Sequence, residues 1–257
     1  MSKLFDLKGK TALLTGSSRG IGRAMAEGLA MHGAKVTISS RKADICAAVA
    51  AEINEMVGAE RAFALPCNAG RKEEVEALIA ETRDRLGSID ILVGNAAVNP
   101  HYGQMDTLTD EAFDKIMSTN VKTNHWLAQM VAPDMIAKRE GSMMFTSSVG
   151  AFKPSLEIGA YNISKLALIG LVRNIAAEMG GHGIRANAVC PGLIRTDFAK
   201  ALYEDPKREA AAVSAIPLGR LGEPEDFRGV AVFLASNASR FMTGQAVTVC
   251  GGSNMWT

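Results

Sequence analysis

The chain has 257 residues, of which 47% are hydrophobic and 21% are charged, and its formal net charge is +1 at pH 7. This near-neutral charge, without long basic or acidic runs, argues against nucleic acid or an anionic membrane as a partner. No stretch approaches the roughly 20 apolar residues that span a bilayer and the N-terminus has no apolar signal core, so a cytoplasmic location is expected.

The first predicted strand covers 10–15 and the first predicted helix covers 21–32. Between them the chain reads Thr15-Gly16-Ser17-Ser18-Arg19-Gly20-Ile21-Gly22. Glycines let a backbone approach a pyrophosphate, and a helix N-terminus offers N–H groups and a positive dipole end to an anion. The turn is therefore interpreted as a binding site for dinucleotide phosphates, although its spacing differs from the standard G-x-G-x-x-G fingerprint.

The end of the second predicted strand, 35–39, bears on the choice of cofactor. Enzymes that use NAD generally carry Asp or Glu there for the ribose 2′-OH, whereas an arginine accommodates a 2′-phosphate. Here the chain reads Ser39-Ser40-Arg41-Lys42. Because Arg pairs well with phosphate, Arg41 and Arg19 favour NADP(H) over NAD(H). The alternative is that Arg41 and Lys42 form only a solvated loop pair.

The remaining elements continue the alternation. Further strands are predicted over 61–65, 89–93, 142–147, 185–190 and 246–250. Helices are predicted over 43–56, 72–86 and 160–179, and over a long stretch from the N-cap Thr109 to about Lys138. Such alternation predicts βαβ units. The fold class is therefore α/β, a single-domain doubly wound Rossmann fold with a mainly parallel seven-stranded sheet and helices on both faces.

One irregular segment follows the strand that ends at Cys190. It covers about 193–223 and is interrupted by prolines and glycines. Doubly wound sheets bind ligands beyond the carboxyl ends of their strands, so this segment is interpreted as a substrate lid rather than a linker. Residues 1–257 are thus expected to form one dinucleotide-binding domain, with this segment, about 193–223, as its lid.

The cysteines and histidines form no metal or disulfide pattern. No C-x-x-C pair is present among the four cysteines, which is typical of buried thiols in a reducing compartment. The four histidines include no i,i+4 ligand pair, so no metal site is expected.

Tyr161 and Lys165 are four residues apart on the predicted helix 160–179, so their side chains share one helical face. A nearby ammonium is expected to lower the phenol pKa from about 10, which would make Tyr161 an acid/base usable near neutral pH. The Y-x-x-x-K spacing alone is a weak signal. Tyr102 and Tyr203 are rivals, but neither has a lysine four residues later.

Together these motifs resemble the short-chain dehydrogenase/reductase family over nearly the whole chain, from 10 to 252. The matching positions are Thr15, Gly16, Gly20, Ile21, Gly22, Asn95, Ala96, Asn120, Ser148, Tyr161, Lys165, Pro191, Gly192, Ile194 and Thr196. Two departures stand out, because the family's Asn-Asn-Ala-Gly is Gly94-Asn95-Ala96-Ala97 here and its Asp-Val is Asn68-Ala69. Both bear on cofactor affinity rather than on the reacting atoms.

The resemblance implies an oxidoreductase that interconverts a carbonyl compound and its alcohol by hydride transfer. Tyr161 would be the acid/base, Lys165 would lower its pKa and bind the nicotinamide ribose, and Ser148 would bind the substrate oxygen. Asn120 would hold a water that connects Lys165 to solvent. The implied cofactor contacts are Gly16, Ser18, Arg19, Gly20, Ile21, Gly22, Ser40, Arg41, Asn68, Ala69, Asn95, Ala96, Tyr161, Lys165, Pro191, Gly192, Ile194 and Thr196.

Ser147 competes with Ser148 for the serine role, but strand neighbours point to opposite faces, and Ser148 has the family's separation from Tyr161. Asn120 has an alternative as well, since an asparagine inside a helix often bonds only backbone. Within the family, the stretches 39–42, 95–100 and 221–226 are most similar to NADPH-dependent carbonyl reductases of the peroxisomal retinal-reductase type. Bacterial 3-oxoacyl-thioester reductases share some of these sequence features, so 3-oxoacyl-thioester reduction is the alternative function. A non-catalytic cofactor-binding regulator is a second alternative.

The substrate is expected under 198–217 and against the loops 101–105 and 152–158. Apolar residues there, including Ala199, Leu202 and Ile216, indicate a small apolar carbonyl or alcohol substrate. Family members are commonly tetramers that join the two long helices of neighbouring subunits, so a homotetramer is expected.

Overall fold

The computed structural model describes residues 3–255. Its sheet has seven strands in the order β3-β2-β1-β4-β5-β6-β7, and every pairing between these strands is parallel. The strands are β1 Thr11–Leu14, β2 Lys35–Ile38, β3 Ala62–Ala64, β4 Ile91–Gly94, β5 Gly141–Thr146, β6 Ile184–Pro191 and β7 Ala246–Val249. The predicted fold class is confirmed, and the predicted strand boundaries agree to within two residues.

Helices cover both faces of this sheet. They are α1 Gly20–Met31, α2 Ala43–Val57, α3 Lys72–Leu86, α4 Asp110–Met117, α5 Thr123–Lys138, α6 Gly159–Met179, α7 Pro206–Ser214 and α8 Arg228–Ala235. In the described part of the chain, no helix is long and apolar enough to cross a membrane.

The core consists of two apolar clusters, one on each face of the sheet. Successive strand residues point to opposite faces, and the packing follows this rule. Leu13, Leu92 and Phe145 belong to one cluster, whereas the next residue of β1, Leu14, belongs to the other together with Val93. Because both faces are buried, the strands are almost uniformly apolar, as parallel sheets require.

The long helical stretch predicted from 109 to 138 is interrupted. Thr109 caps α4 as predicted, its hydroxyl accepting from the Ala112 N–H at 3.3 Å. A π-helical turn, Ser118–Lys122, then separates α4 from α5. Such turns add a residue to a helix and often occur at functional sites, and this one contains Asn120.

Two helices were absent from the sequence prediction. α7 lies within the irregular segment, and Asp205 caps it by accepting from the Lys207 N–H at 2.7 Å. Pro206 then occupies its first position. This Asp-Pro start is a recognisable helix signal, so α7 was predictable. α8 is short and largely apolar, and a short apolar run does not distinguish a helix from a strand.

The strand order reverses beside β1, because the chain moves from β1 to β2 and β3 on one side and to β4 on the other. Open α/β sheets bind ligands at the carboxyl ends of the strands at such a switch point. A cavity of about 550 Å³ lies there.

Candidate active site

The cavity brings together nearly all of the predicted site residues. Every predicted cofactor contact except Gly22 lines it, and so does Ser148. Gly22 and Asn120 lie outside the lining and act on the site through their neighbours. The two ends of the predicted site, the glycine turn and the Tyr161–Lys165 pair, therefore open into one space.

The glycine turn is closely packed against the end of β4. Gly16 and Gly20 have φ values of 64° and 55°, a left-handed backbone that favours glycine. A Cβ at Gly22 would overlap the Gly16 carbonyl and the Asn95 amide. Gly22 thus allows α1 to begin directly against the turn, which aims its N-terminal N–H groups at the cavity.

Asn95 ties this turn to the centre of the sheet. Its Nδ2 donates to the Gly16 carbonyl at 2.9 Å, and its Oδ1 accepts from the Thr146 hydroxyl at 3.0 Å. Gly94 is explained by its surroundings, because a Cβ there would overlap Asn124 Oδ1 and the Phe145 ring. The family's usual asparagine at this position would not fit in this packing.

Asn68, the second departure, shapes its own loop. Its Oδ1 accepts from the Gly70 N–H at 3.1 Å, and its N–H donates to Glu74 Oε2 at 2.7 Å. Asn68 and Ala69 both line the cavity, so the loop keeps its predicted place with an amide instead of a carboxylate.

The cationic end of the cavity contains Arg19 and Arg41. Arg41 is exposed at the rim, and none of the ion pairs among residues 3–255 involves it. Arg19 forms an ion pair with Asp197 at 3.1 Å. Lys42, unlike its neighbour Arg41, does not line the cavity.

Tyr161 and Lys165 share one face of α6, as predicted. Lys165 is only 1% exposed, its Nζ donates to the Thr146 carbonyl at 2.7 Å, and the same Nζ lies 5.3 Å from the centre of the Tyr161 ring. Burial lowers the pKa of Lys165 to about 7, because removal from water disfavours the charged amine.

Burial also raises the pKa of Tyr161 above its usual value, and a hydrogen bond with the Ser148 side chain opposes this only in part. The expectation that Lys165 holds the tyrosine pKa low is therefore wrong for the protein on its own. Desolvation is the larger effect, and it also reduces the charge that Lys165 carries near neutral pH.

The two candidate serines have different partners. The Ser147 hydroxyl donates to the Lys165 carbonyl at 2.8 Å, so it fixes the backbone of α6 against β5. The Ser148 side chain lies close enough to the Tyr161 phenol to oppose the rise of its pKa, and its Oγ accepts from the Gly150 N–H at 3.0 Å. This geometry favours Ser148 over Ser147 for contact with a substrate oxygen.

The Asn120 side chain is fully buried and already bonded. Its Oδ1 accepts from the Val98 N–H at 2.9 Å, and its Nδ2 donates to the Val98 carbonyl at 3.1 Å and to the Ser164 hydroxyl at 3.0 Å. The side chain therefore connects the chain after β4 to α6. Its predicted role in holding a water stays a prediction.

The predicted lid region packs over the cavity. Tyr102 and Tyr203 donate their hydroxyls to lid carbonyls, those of Phe198 at 3.2 Å and Thr196 at 2.9 Å. Both rival tyrosines are therefore bonded to the backbone of the segment 193–223. The Phe198 ring lies 5.9 Å from the Tyr161 ring. Phe198, Ala199 and Leu202 line the cavity, whereas Tyr203 and Ile216 do not.

Comparison with known proteins agrees with this geometry. The family model described as Enoyl-(Acyl carrier protein) reductase matches residues 16–254. Dehydrogenase/reductase SDR family member 4 from Oryctolagus cuniculus is 42% identical over 252 residues, which cover 96% of this chain and 94% of that protein. The chain belongs to the short-chain dehydrogenase/reductase family.

Two solved structures of the family resemble the chain closely. Gluconate 5-dehydrogenase from Burkholderia cenocepacia, in complex with NADP and tartrate, has a TM-score of 0.93 at 33% identity and covers 99% of both chains. A 7 alpha-hydroxysteroid dehydrogenase complexed with NADH and 7-oxo glycochenodeoxycholic acid has a TM-score of 0.93 at 35% identity, and the match covers 98% of this chain and 97% of the other. As a family member the chain is a dehydrogenase/reductase that acts on an alcohol or carbonyl group with NAD(P).

Three supporting residues were missed by the sequence reasoning. Thr146 receives the Lys165 ammonium and holds Asn95, Ser164 links Asn120 to the Tyr161 carbonyl, and Asn99 lines the cavity. A polar residue at the end of a buried strand was a usable signal for Thr146. Ser164 and Asn99 had no sequence signal, because their importance depends on three-dimensional partners.

Proposed function

We propose that this short-chain dehydrogenase/reductase is an NADP(H)-dependent carbonyl reductase in which Tyr161 is the acid/base. The observation that carries the proposal is that Tyr161, Lys165 and Ser148 share one cavity with the glycine turn and with Arg41. A cofactor site and a proton donor in one space are the two requirements for reducing a carbonyl group.

The residues present fit a dinucleotide. The tight glycine turn offers the N-terminus of α1 to phosphates, and Arg41 is a cation at the cavity rim without a carboxylate partner among the described residues. Gly192, Ile194 and Thr196 line the far wall and would hold the nicotinamide end. When bound, the cofactor supplies or accepts a hydride.

The protein's own residues would handle the proton. Ser148 and the Tyr161 hydroxyl would both bond to the substrate oxygen and hold the carbonyl in place. Tyr161 would give its proton to that oxygen during reduction. Lys165, with its pKa lowered to about 7, can then carry a replacement proton near neutral pH.

The test of this function is NADPH consumption over a panel of aryl ketones, aldehydes, diketones and 3-oxoacyl thioesters. Simple ketones are expected to react. Turnover of 3-oxoacyl thioesters alone would favour the alternative. Binding of a thioester on its carrier would require unpaired cations at the mouth of the cavity. Arg195, Lys200 and Arg208 instead each pair with a glutamate. If the protein turns over no carbonyl compound, the result would favour the third hypothesis, a non-catalytic cofactor-binding regulator.

Arg41→Ala is expected to raise KM for NADPH by about tenfold, because a charge-assisted bond to the 2′-phosphate is lost at a partly hydrated site. KM for NADH should stay unchanged. Lys42→Ala is the matched control, since this neighbouring cation lies outside the cavity lining and its removal should change neither constant. Equal effects of the two substitutions on NADPH would favour the solvated loop pair.

Asp197→Asn is expected to change KM for NADPH in the opposite direction to Arg41→Ala. Asp197 competes with a cofactor phosphate for Arg19, so its neutral variant is expected to lower KM for NADPH. The pair is largely exposed, with side chains 69% and 73% accessible, which limits the effect to about two- to fivefold. Steady-state kinetics with both cofactors measures it, and a higher KM for NADPH would contradict this competition.

A homotetramer and a cytoplasmic location complete the proposal. The outer face of α6 exposes Ile163 and Leu166 by 46% and 53%, and Gly170 on the same helix has open space around it, which supports helix packing between subunits. The free cysteines in the described residues support a reducing compartment.

A further inference from the structure

The loop that follows β3 forms one end of the cavity. Residues 68–70 line this end, and so does Lys115 of α4. β3 is an edge strand of the sheet, whereas Tyr161 lies on the helix between β5 and β6. A dinucleotide with its nicotinamide at Tyr161 and its phosphates at the glycine turn of β1 therefore places its purine base beside this loop.

Lys115 brings an unpaired ammonium to the purine end of the cavity. The residue is exposed, and within residues 3–255 its Nζ takes part in no ion pair or hydrogen bond. A Cβ placed on Gly70 would lie 3.1 Å from Lys115 Nζ and 3.4 Å from Asn68 Oδ1. The ammonium and the Asn68 amide thus meet at the same point of the cavity wall.

The Asn68 amide is held in one orientation. Its Oδ1 accepts from the Gly70 N–H at 3.1 Å, which fixes the positions of its oxygen and its nitrogen. The Nδ2 atom bonds to no residue in the described part of the chain, and it is not a buried atom. Asn68 therefore offers an accessible donor, rather than an acceptor, to a ligand in the cavity.

The acceptors of this loop already have partners. The Asn68 carbonyl accepts from the Arg71 N–H at 2.9 Å, and the Ala69 carbonyl accepts from the Thr123 hydroxyl at 2.7 Å. Glu74 bonds to the Asn68 N–H and to Arg71, and it does not line the cavity. Among the described residues, the purine end of the cavity thus offers two free donors and no carboxylate.

We propose that Lys115 and Asn68 select the purine base by the group on its C6, and that they favour an oxo group over an amino group. The preferred cofactor class is then a nicotinamide dinucleotide phosphate that carries a 6-oxopurine such as hypoxanthine. An oxo group has two acceptor lone pairs and can bond to both donors. The amino group of adenine is itself a donor and can bond to neither. This inference rests on the proposed binding of NADP(H).

The experiment measures the dissociation constants of NADPH and of reduced nicotinamide hypoxanthine dinucleotide phosphate, by titration of the nicotinamide fluorescence. The two ligands have the same phosphates, riboses and nicotinamide, so the contacts of these groups cancel in the ratio of the two constants. For the wild-type protein, Kd is expected to be about two- to tenfold lower for the hypoxanthine ligand. No carbonyl substrate is present, so the result does not depend on turnover.

Asn68→Asp should reverse this preference. The carboxylate keeps one oxygen for the Gly70 N–H and places its second oxygen where Nδ2 stands in the wild-type protein. That oxygen accepts from an amino group and repels an oxo group, so NADPH should bind about two- to tenfold more tightly than the hypoxanthine ligand.

Lys115→Met should raise Kd for the hypoxanthine ligand by about three- to tenfold, because a charged donor to the oxo group is lost at an exposed site. Kd for NADPH should change by less than about twofold, since the amino group makes no bond to the ammonium. Lys122→Met is the matched control. Lys122 lies over the Trp126 ring and outside the cavity lining, so its removal should change neither constant.

Each outcome supports or overturns the proposal. The same ratio of constants in the wild-type protein and in Asn68→Asp would overturn it. Equal losses on both ligands in Lys115→Met would place the ammonium at a phosphate and also overturn it, as would no loss on either. If the wild-type protein binds NADPH as tightly as the hypoxanthine ligand or more tightly, selection of the base fails while NADP(H) binding stands. If it binds neither ligand, the proposed cofactor fails and selection of the base fails with it.

Discussion

Tyr161→Phe is expected to lower kcat for carbonyl reduction by about 100- to 10,000-fold, which is the usual contribution of a positioned general acid. The phenyl ring keeps the contact with Phe198 and most of the shape of the cavity. It removes the only atom of this side chain that can give a proton. Affinity for NADPH should therefore change by no more than a few-fold, as fluorescence titration of the cofactor would measure.

The raised pKa of Tyr161 adds a pH dependence to this result. Because burial keeps the phenol protonated, the proton donor for reduction is fully available at neutral pH, and the reduction rate should be flat there with respect to this group. Alcohol oxidation needs the phenolate instead, so its rate should increase towards alkaline pH. Bound cofactor changes the surroundings of the phenol, but this difference in pH dependence between the two directions should persist.

Matched controls come from the two rival tyrosines. Tyr102→Phe and Tyr203→Phe each remove a hydroxyl that bonds to the lid, and each should keep kcat within about tenfold of the wild-type value. A Tyr161→Phe protein that is folded, binds NADPH and still reduces ketones at the wild-type rate would contradict the proposed mechanism. A loss of activity equal to that in Tyr102→Phe would also contradict it.

The fold was predictable because each buried strand and each glycine turn carries a local signal. Almost uniformly apolar runs such as Thr11–Leu14 require a sheet covered on both faces. The π-helical turn at Ser118–Lys122 was not predictable, since a continuous helical pattern gives no sign of one extra residue. α7 was missed although Asp205 and Pro206 mark its start, because the surrounding prolines and glycines made the whole segment look irregular.

The candidate site, like the fold, was predictable from the sequence only in part. Spacing along a helix correctly brings Tyr161 and Lys165 together, but it carries no information about burial. The direction of the tyrosine pKa was therefore wrong, since desolvation depends on the packing around α6. The buried Oδ1 of Asn99, which has no hydrogen-bond partner among the described residues, is equally invisible in the sequence, because a missing hydrogen bond is a property of everything that surrounds the group.

The buried amine of Lys165 should also affect the stability of the protein. Its pKa falls from 10.5 to about 7 on folding, so between these values the unfolded chain binds a proton that the folded protein does not. Stability must then increase with pH, by up to about 1.4 kcal/mol per pH unit. Below pH 7 the folded protein bears the full free-energy cost of burying the charged Lys165 amine, which is roughly 5 kcal/mol. Above about pH 9 the buried thiols of Cys67 and Cys190 act in the opposite direction, because their pKa values are raised from 9.0.

Lys165→Met is accordingly expected to abolish most activity and yet to stabilise the protein without cofactor. At pH 7 the gain in the free energy of unfolding should be about 2–4 kcal/mol, which is the penalty less about 1–3 kcal/mol for the unpaired Thr146 carbonyl. Urea unfolding at pH 7, 8 and 9 measures both the gain and the loss of the upward slope. Lys35→Met, at an exposed position on β2, should leave the slope unchanged. A variant that is less stable at pH 7 and keeps the wild-type slope would show that Lys165 is not held uncharged by burial, and Lys165 would then lose its role as a proton carrier near neutral pH.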